Sequence, residues 1–282
     1  MNLLQETKFI MKEYGITANK KLGQNFLISD DAVSKIIESS NINKEDLVIE
    51  IGPGLGTLTK PLLEKAGKVI CIELDNRMIE ILEDRFSLYN NFKIINNDVL
   101  KEDLNKLIFE NKIDDIKHAK IVANLPYYIT TPIIMKLLED RLEIDSITVM
   151  VQKEVGKRLT SKPGEKLSGA ITYAINYYTN PSSILEVDKT SFIPSPEVDS
   201  TVIKLDVLKE PEVKVKNEEL MFKIIKAAFM QKRKTLLNGL TNSNLFGSKE
   251  KIEETLKRVN IAPEIRGEKL NLQDFANIAD EM

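Results

Sequence analysis

Val48-Ile49-Glu50-Ile51-Gly52-Pro53-Gly54-Leu55-Gly56-Thr57 is an apolar strand running into a glycine-rich turn and then a helix. A turn stripped of side chains in this way lets a ligand approach the backbone. A dinucleotide fingerprint would carry glycine at the sixth position of G-x-G-x-x-G, where this chain has Thr57. Pro53 also removes an N–H that a pyrophosphate would use as a donor. The turn therefore suits a ligand with less phosphate.

Working outward, strand-like runs at Leu47–Ile51, Val69–Leu74, Lys93–Asn96, Lys120–Asn124 and Ile147–Gln152 alternate with helix-period segments. That alternation predicts an α/β, Rossmann-like fold, a parallel sheet flanked by helices. The first intervening segment predicts a helix over Thr57–Ala66, with Pro61 near its first turn and Gly67 as its C′ residue. After a helix around Leu167–Tyr178, strands at Ile184–Val187 and Thr201–Val207 flank the proline-bearing loop Phe192–Ser200 and complete one sheet of about seven strands. Beyond Asn217 the strand pattern stops. Leu220, Ile224, Ile225, Ala228 and Phe229 recur at helical spacing, and Ile252–Val259 and Leu272–Ile278 read as further helices. The charged, proline-containing stretch Leu208–Lys216 is the natural linker. The expected division is a sheet domain over residues 1–208 and a small all-helical C-terminal domain over 209–282.

Composition narrows the function classes. The 282 residues are 42% hydrophobic and 29% charged, as in an ordinary globular protein. No apolar run reaches the ~18 residues of a membrane span, and the amphipathic N-terminus lacks a signal-peptide core, which places the chain in the cytoplasm. One cysteine, Cys71, and one histidine, His118, supply neither a disulfide nor a cysteine/histidine zinc site, so no metal is expected. Cys71 is expected inside a strand and His118 in a loop before one. The net charge of −3 argues against a generally basic nucleic-acid binder. Local clusters at Lys20-Lys21, Lys153 to Lys166 and Lys232-Arg233-Lys234 keep phosphate contact open.

Strand ends carry the candidate chemistry. Glu73 follows the first glycine by about 20 residues, where a carboxylate accepts both hydroxyls of a ribose. Asp98 closes the third strand, over the same sheet edge and within reach of an adenine amino group. An adenosine held without phosphates describes S-adenosyl-L-methionine. Asn124-Leu125-Pro126-Tyr127 ends the fourth strand. The N6 amine of adenine is a poor nucleophile because its lone pair is delocalised into the ring. An amide oxygen and a backbone carbonyl accepting its N–H bonds would turn that lone pair outward. Pro126 would set a carbonyl, not an N–H, toward the base, and Tyr127 offers a stacking face.

Gln24-Asn25-Phe26-Leu27, the glycine turn, Asn124-Leu125-Pro126-Tyr127, Phe192-Ile193-Pro194-Ser195-Pro196 and the run from Phe229 to Leu236 together resemble the ribosomal RNA adenine N6,N6-dimethyltransferases. Within them, the bacterial small-subunit (16S) branch linked to kasugamycin sensitivity is the nearest. The resemblance implies a class I methyltransferase sheet with a small helical domain. It also implies dimethylation of two adjacent adenines in the hairpin loop near the 3′ end of 16S rRNA, on the immature small subunit, by a monomer. Asn25, Leu27, Gly52, Gly54, Glu73, Asp98 and Asn124 would contact the cofactor or frame its pocket. Asn124 and the Leu125 carbonyl would hold N6, with Tyr127 and Phe192 stacking on the flipped base. Lys232, Arg233 and Lys234 would contact RNA. Tyr128 stands where that family usually carries a small polar residue.

Three other readings compete. The macrolide-resistance methyltransferases of 23S rRNA share the constellation, but Leu125 and the Phe229–Leu236 run favour the small-subunit branch. A nicotinamide-dependent oxidoreductase is opposed by Pro53, Thr57 and the lack of a catalytic histidine. An assembly factor that chiefly recognises immature subunits is compatible with catalysis.

Overall fold

The computed structural model describes residues 2–112, 115–231 and 233–282. Its strands are β1 (Phe26–Leu27), β2 (Asp46–Ile51), β3 (Lys68–Glu73), β4 (Phe92–Asn96), β5 (His118–Asn124), β6 (Ser146–Gln152), β7 (Thr179–Val187), β8 (Phe192–Ile193) and β9 (Ser200–Val207). The helices are α1 (Leu3–Glu13), α2 (Asp30–Ser39), α3 (Thr59–Lys65), α4 (Asn76–Arg85), α5 (Leu104–Asn111), α6 (Thr130–Glu139), α7 (Lys153–Leu159), α8 (Ala170–Tyr178), α9 (Glu218–Met230), α10 (Leu236–Asn242), α11 (Lys249–Arg258) and α12 (Leu272–Glu281).

The seven-stranded sheet has the order β4-β3-β2-β5-β6-β9-β7. β4 through β6 in that order pair in parallel, and β9 runs antiparallel to β6. Leu47, Val48 and Ile49 of β2 and Val69, Ile70 and Cys71 of β3 are fully buried, so both faces of these strands are covered. The chain builds outward from β2 to β4, then crosses back to lay β5 on the other side of β2. Side-by-side strands whose connections leave in opposite directions open a crevice at their carboxyl ends. Here that crevice lies between Gly52 and Asn124.

The chain divides into two compact units, Met1–Gly156 with Ser182–Val207, and Lys157–Pro181 with Leu208–Met282. The reading from sequence leaves residues 157–181 with the sheet. Their helix, α8, instead packs with the helices of the second unit through Tyr173. That ring is fully buried, 5.2 Å from the rings of Phe229 and Phe275, and its hydroxyl donates to the Leu270 carbonyl at 2.5 Å.

Local departures have physical causes. α3 spans Thr59–Lys65, with Pro61 in its first turn and Ala66 already extended. Gly67 is not left-handed: a Cβ there would lie 2.2 Å from the Lys44 carbonyl oxygen, so this glycine serves close packing, not a helix cap. β7 starts at Thr179, earlier than the apolar run suggests, because it is the last strand in the order and its first half is polar and mostly exposed. α2, which the hydrophobic pattern does not single out, is begun by Ser29, whose hydroxyl accepts from Ala32 N, with Asp30 and Asp31 in the first turn. Cys71 lies inside β3, while His118 is the first residue of β5, its Nδ1 2.8 Å from Asp145. No described helix is long and apolar enough to cross a membrane.

Candidate active site

The crevice is a solvent-open cleft. Its walls include Asn25 and Leu27, the turn Gly52–Leu55, Glu73, Asp98 and the segment Asn124–Ile129. Gly52 leaves β2 with φ +65°, which costs an L side chain roughly 1–2 kcal/mol. A Cβ at Gly52 would meet no atom within 4 Å, so the open space beside this backbone is left for a ligand.

Glu73 ends β3 and is only 7% exposed. Its Oε1 accepts from the N–H groups of Leu74 and Asp75, each at 2.9 Å, and its Oε2 accepts from Gly54 N at 3.2 Å. Burial pushes its carboxyl up, against the opposing pull of these backbone donors. An ionised carboxylate has about four acceptor directions. Three backbone N–H groups hold the carboxylate in place where it lines the cleft, and its oxygens there are the acceptors for a ribose. The same carboxylate fixes the glycine turn. Glu73→Ala should therefore weaken S-adenosyl-L-methionine binding by roughly ten- to hundred-fold, from the loss of about 1.5–3 kcal/mol. RNA affinity should change far less. Calorimetry with each ligand checks this, and an unaltered cofactor affinity would place the ribose elsewhere.

Asp98 lies two residues beyond the end of β4, not within it; its Oδ1 accepts from Leu100 N at 3.0 Å and its own N–H donates to Asn97 Oδ1 at 2.8 Å. Behind the turn, Glu50 accepts from Thr59 Oγ1 at 2.6 Å and from Cys71 Sγ at 3.4 Å. Burial raises its carboxyl from 4.5 to about 7. The folded state thus holds this proton more tightly than the unfolded chain. The stabilisation is complete below about pH 4.5 and is lost as pH rises through about 7, a span worth about 3 kcal/mol. Glu50→Gln should gain on the parent by up to that amount across this window. Denaturant unfolding at several pH values tests it; a constant difference between the two proteins would show that Glu50 does not titrate there.

The far wall is built by β5 and by a ladder too short to show in the sequence. β1 pairs antiparallel with β8, Leu27 opposite Phe192. The ladder brings Asn25 to the end of β5, where its carbonyl accepts from Asn124 Nδ2 at 3.1 Å. With that nitrogen turned to Asn25, the amide is oriented and Oδ1 is the acceptor for anything entering the cleft. Leu125 N donates to the Met150 carbonyl at 3.2 Å, and the following residue, Pro126, has no N–H. The lip is therefore rich in acceptors. Tyr127 donates to or accepts from Ser200 Oγ at 2.6 Å, which holds its ring at the cleft wall, and burial raises its phenol.

Phe192 departs from expectation. It is 3% exposed and packs in the core with Leu27, Val187 and Val202, and it does not line the cleft. In this arrangement it supports β1 and offers no face to a base. Arg233 and Lys234 are exposed in the turn between α9 and α10, and Lys232 lies outside the described residues.

Residues to which the sequence assigns no individual role also shape the site. Gln24 accepts from Asn19 N and donates to Asp75 Oδ2, both at 2.8 Å, tying the segment before β1 to the loop after Glu73. Arg77 on the same carboxylate holds Asp75 below the usual range. Arg85 binds Glu6 at 2.5 Å and the Leu55 carbonyl, which fixes α1 against the glycine turn. Spacing alone could not reveal partners this far apart.

A family model described as "Ribosomal RNA adenine dimethylase" matches residues 15–282. The chain is 49% identical over 274 residues to "Ribosomal RNA small subunit methyltransferase A" of Clostridium botulinum (strain ATCC 19397 / Type A), with 97% of each chain covered. The crystal structure of a dimethyladenosine transferase from Plasmodium falciparum superposes with a TM-score of 0.74 at 28% identity, covering 90% of this chain and 95% of that one. The 23S rRNA methyltransferase ErmE superposes with a TM-score of 0.67 at 21% identity, covering 91% and 99%; this likeness concerns the fold.

Proposed function

The chain belongs to the ribosomal RNA adenine dimethylase family, and from that premise we propose that it methylates N6 of two adjacent adenines in the 3′-terminal hairpin loop of 16S rRNA. The methyl donor is S-adenosyl-L-methionine. We place the reaction on the immature small subunit in the cytoplasm, with the enzyme acting as a monomer. The high identity to a relative named for the small subunit supports 16S over 23S rRNA.

The observation that carries this reading is the oriented amide of Asn124 on the cleft that also holds the glycine turn and Glu73. The residues fit the donor. Gly52 leaves open space beside its backbone, Glu73 brings a carboxylate to the cleft, and in the turn Pro53 has no N–H while Gly54 N already donates to Glu73. When bound, the donor supplies an electrophilic methyl group.

The protein's own residues prepare the nucleophile. A target base leaves its stack at a cost of a few kcal/mol, least where pairing is already absent. Tyr127 stacks on it. Asn124 Oδ1 and the Leu125 carbonyl accept the two N6 hydrogens and rotate the lone pair out of conjugation. The methylated amine is cationic and strongly acidic, so it passes its proton to solvent water without a dedicated base. One N–H then remains for the second transfer. Arg233 and Lys234, with Lys232, serve as phosphate contacts of the helical unit.

Mass spectrometry of rRNA from a strain deleted for this gene, with and without the gene restored, tests the proposal. Dimethyladenine should vanish from 16S rRNA on deletion and return on complementation; its persistence in the deletion strain would reject the reading.

A further inference from the structure

We propose that Tyr128 is a positioning residue for the RNA strand, a platform on which the base adjoining the target adenine stacks while the target occupies the inner cleft. This rests on the reading of the cleft as an RNA adenine methylation site.

Tyr127 and Tyr128 are consecutive residues of one 3₁₀ turn, Tyr127–Ile129. Such a turn has about three residues per turn, so neighbouring side chains diverge by about 120°. The two rings accordingly do different things. Tyr127 is tied inward through Ser200, while Tyr128 is 57% exposed and lines the same cleft at its outer edge. Exposure alone would mean little; what distinguishes this ring is that it lines the cleft and is backed by a glycine.

The ring is also seated. Gly23, with φ +63°, closes the 3₁₀ turn Lys20–Leu22. A Cβ on Gly23 would lie 3.1 Å from Tyr128 Cδ1, 3.3 Å from Cε1 and 3.7 Å from Pro126 Cβ. The missing side chain thus lets one part of the ring rest on backbone, and the carbonyl of Pro126 is fixed in turn by Thr130 Oγ1 at 3.1 Å. A ring supported on one side and open on the other loses little freedom when a flat group stacks on it. Lys20 and Lys21, both exposed, lead into the Gly23 seat and carry the charge an adjoining phosphate would meet. A ring face beside two lysines suits a nucleotide of a strand, whose flat base and phosphate are joined through a sugar. The strand that delivers the flipped adenine necessarily places its neighbours at the cleft mouth.

The test compares full-length parent with Tyr128→Phe, Tyr128→Leu and Tyr128→Ala. It measures kcat and KM for methyl transfer to purified small subunits lacking the modification, and S-adenosyl-L-methionine affinity by calorimetry. Base–aromatic stacking corresponds to roughly five- to hundred-fold in affinity. Tyr128→Phe should match the parent. Tyr128→Leu keeps bulk against Gly23 but has no π face. Both it and Tyr128→Ala should lose kcat/KM in that range, mainly through KM, with cofactor affinity unchanged. The inference is overturned if Tyr128→Leu behaves as the parent, if Tyr128→Phe is as impaired as Tyr128→Ala, or if cofactor affinity falls in parallel. A parent that transfers no methyl to the subunits overturns the methylation reading and this inference with it. An active parent with unimpaired Tyr128→Leu overturns the inference alone.

Discussion

Asn124→Ala should slow the first methyl transfer by about 10²–10³ in single-turnover reactions while the protein folds and binds S-adenosyl-L-methionine nearly as the parent does. The size follows from what the side chain does. Its amide is aimed before substrate arrives, because Nδ2 donates to the Asn25 carbonyl at 3.1 Å. Oδ1 then meets the N6 hydrogen in the geometry the reaction needs, with little reorganisation. The fold should tolerate the loss, since Asn124 is half-buried at a strand end and its side-chain hydrogen bond to the Asn25 carbonyl is worth about 1 kcal/mol. Asn124→Asp is a sharper control. A carboxylate keeps the acceptor but faces the Asn25 carbonyl without a proton to donate, so it should be impaired despite its similar shape. Retained activity in Asn124→Asp would mean that orientation by Asn25 is unimportant.

Phe192→Ala should lose about 3–5 kcal/mol of stability, the cost of emptying a buried aromatic site. Phe192 is 3% exposed, and its neighbours include Leu27 at 2%. A further effect follows along the backbone. Phe192 pairs with Leu27, and Asn25 stands two residues before Leu27, so slack in this ladder loosens the carbonyl that orients Asn124. Methyl transfer should fall with it, and Phe192→Leu should restore most of both by refilling the core. Urea unfolding alongside single-turnover rates separates the outcomes. Full stability with slowed transfer would return Phe192 to a direct role on the base.

The contrast between Asn124 and Phe192 shows which parts of the site the sequence makes legible. Residues at the carboxyl ends of parallel strands are readable, because continuous apolar runs locate the strands and the switch point gathers their ends. Gly52, Glu73 and Asn124 all belong to this class. β1 and β8 have two residues each, too few to express a period, so nothing local indicates that Asn25 lies under Asn124. Phe192 sits among prolines in a stretch that reads as an open loop, and only the pairing with Leu27 shows that it is core. Glu73 was legible as a position but not as a partner of Gly54, Leu74 and Asp75, since backbone donors leave no mark on composition. α8 reads as part of the sheet domain because it precedes the last strands; the burial of Tyr173 among Phe229 and Phe275 assigns it to the helical unit.

The central claim is that the cleft between Gly52 and Asn124 transfers methyl groups to adenine N6 of small-subunit rRNA. Purified protein incubated with S-adenosyl-L-methionine and either unmodified small subunits or large subunits, followed by nuclease digestion and mass spectrometry, tests it most directly. The parent should yield N6,N6-dimethyladenosine from two adjacent adenines of the 3′-terminal hairpin of 16S rRNA, and Asn124→Ala almost none. Methylation confined to 23S rRNA, methylation at another base, or equal product from Asn124→Ala would contradict it.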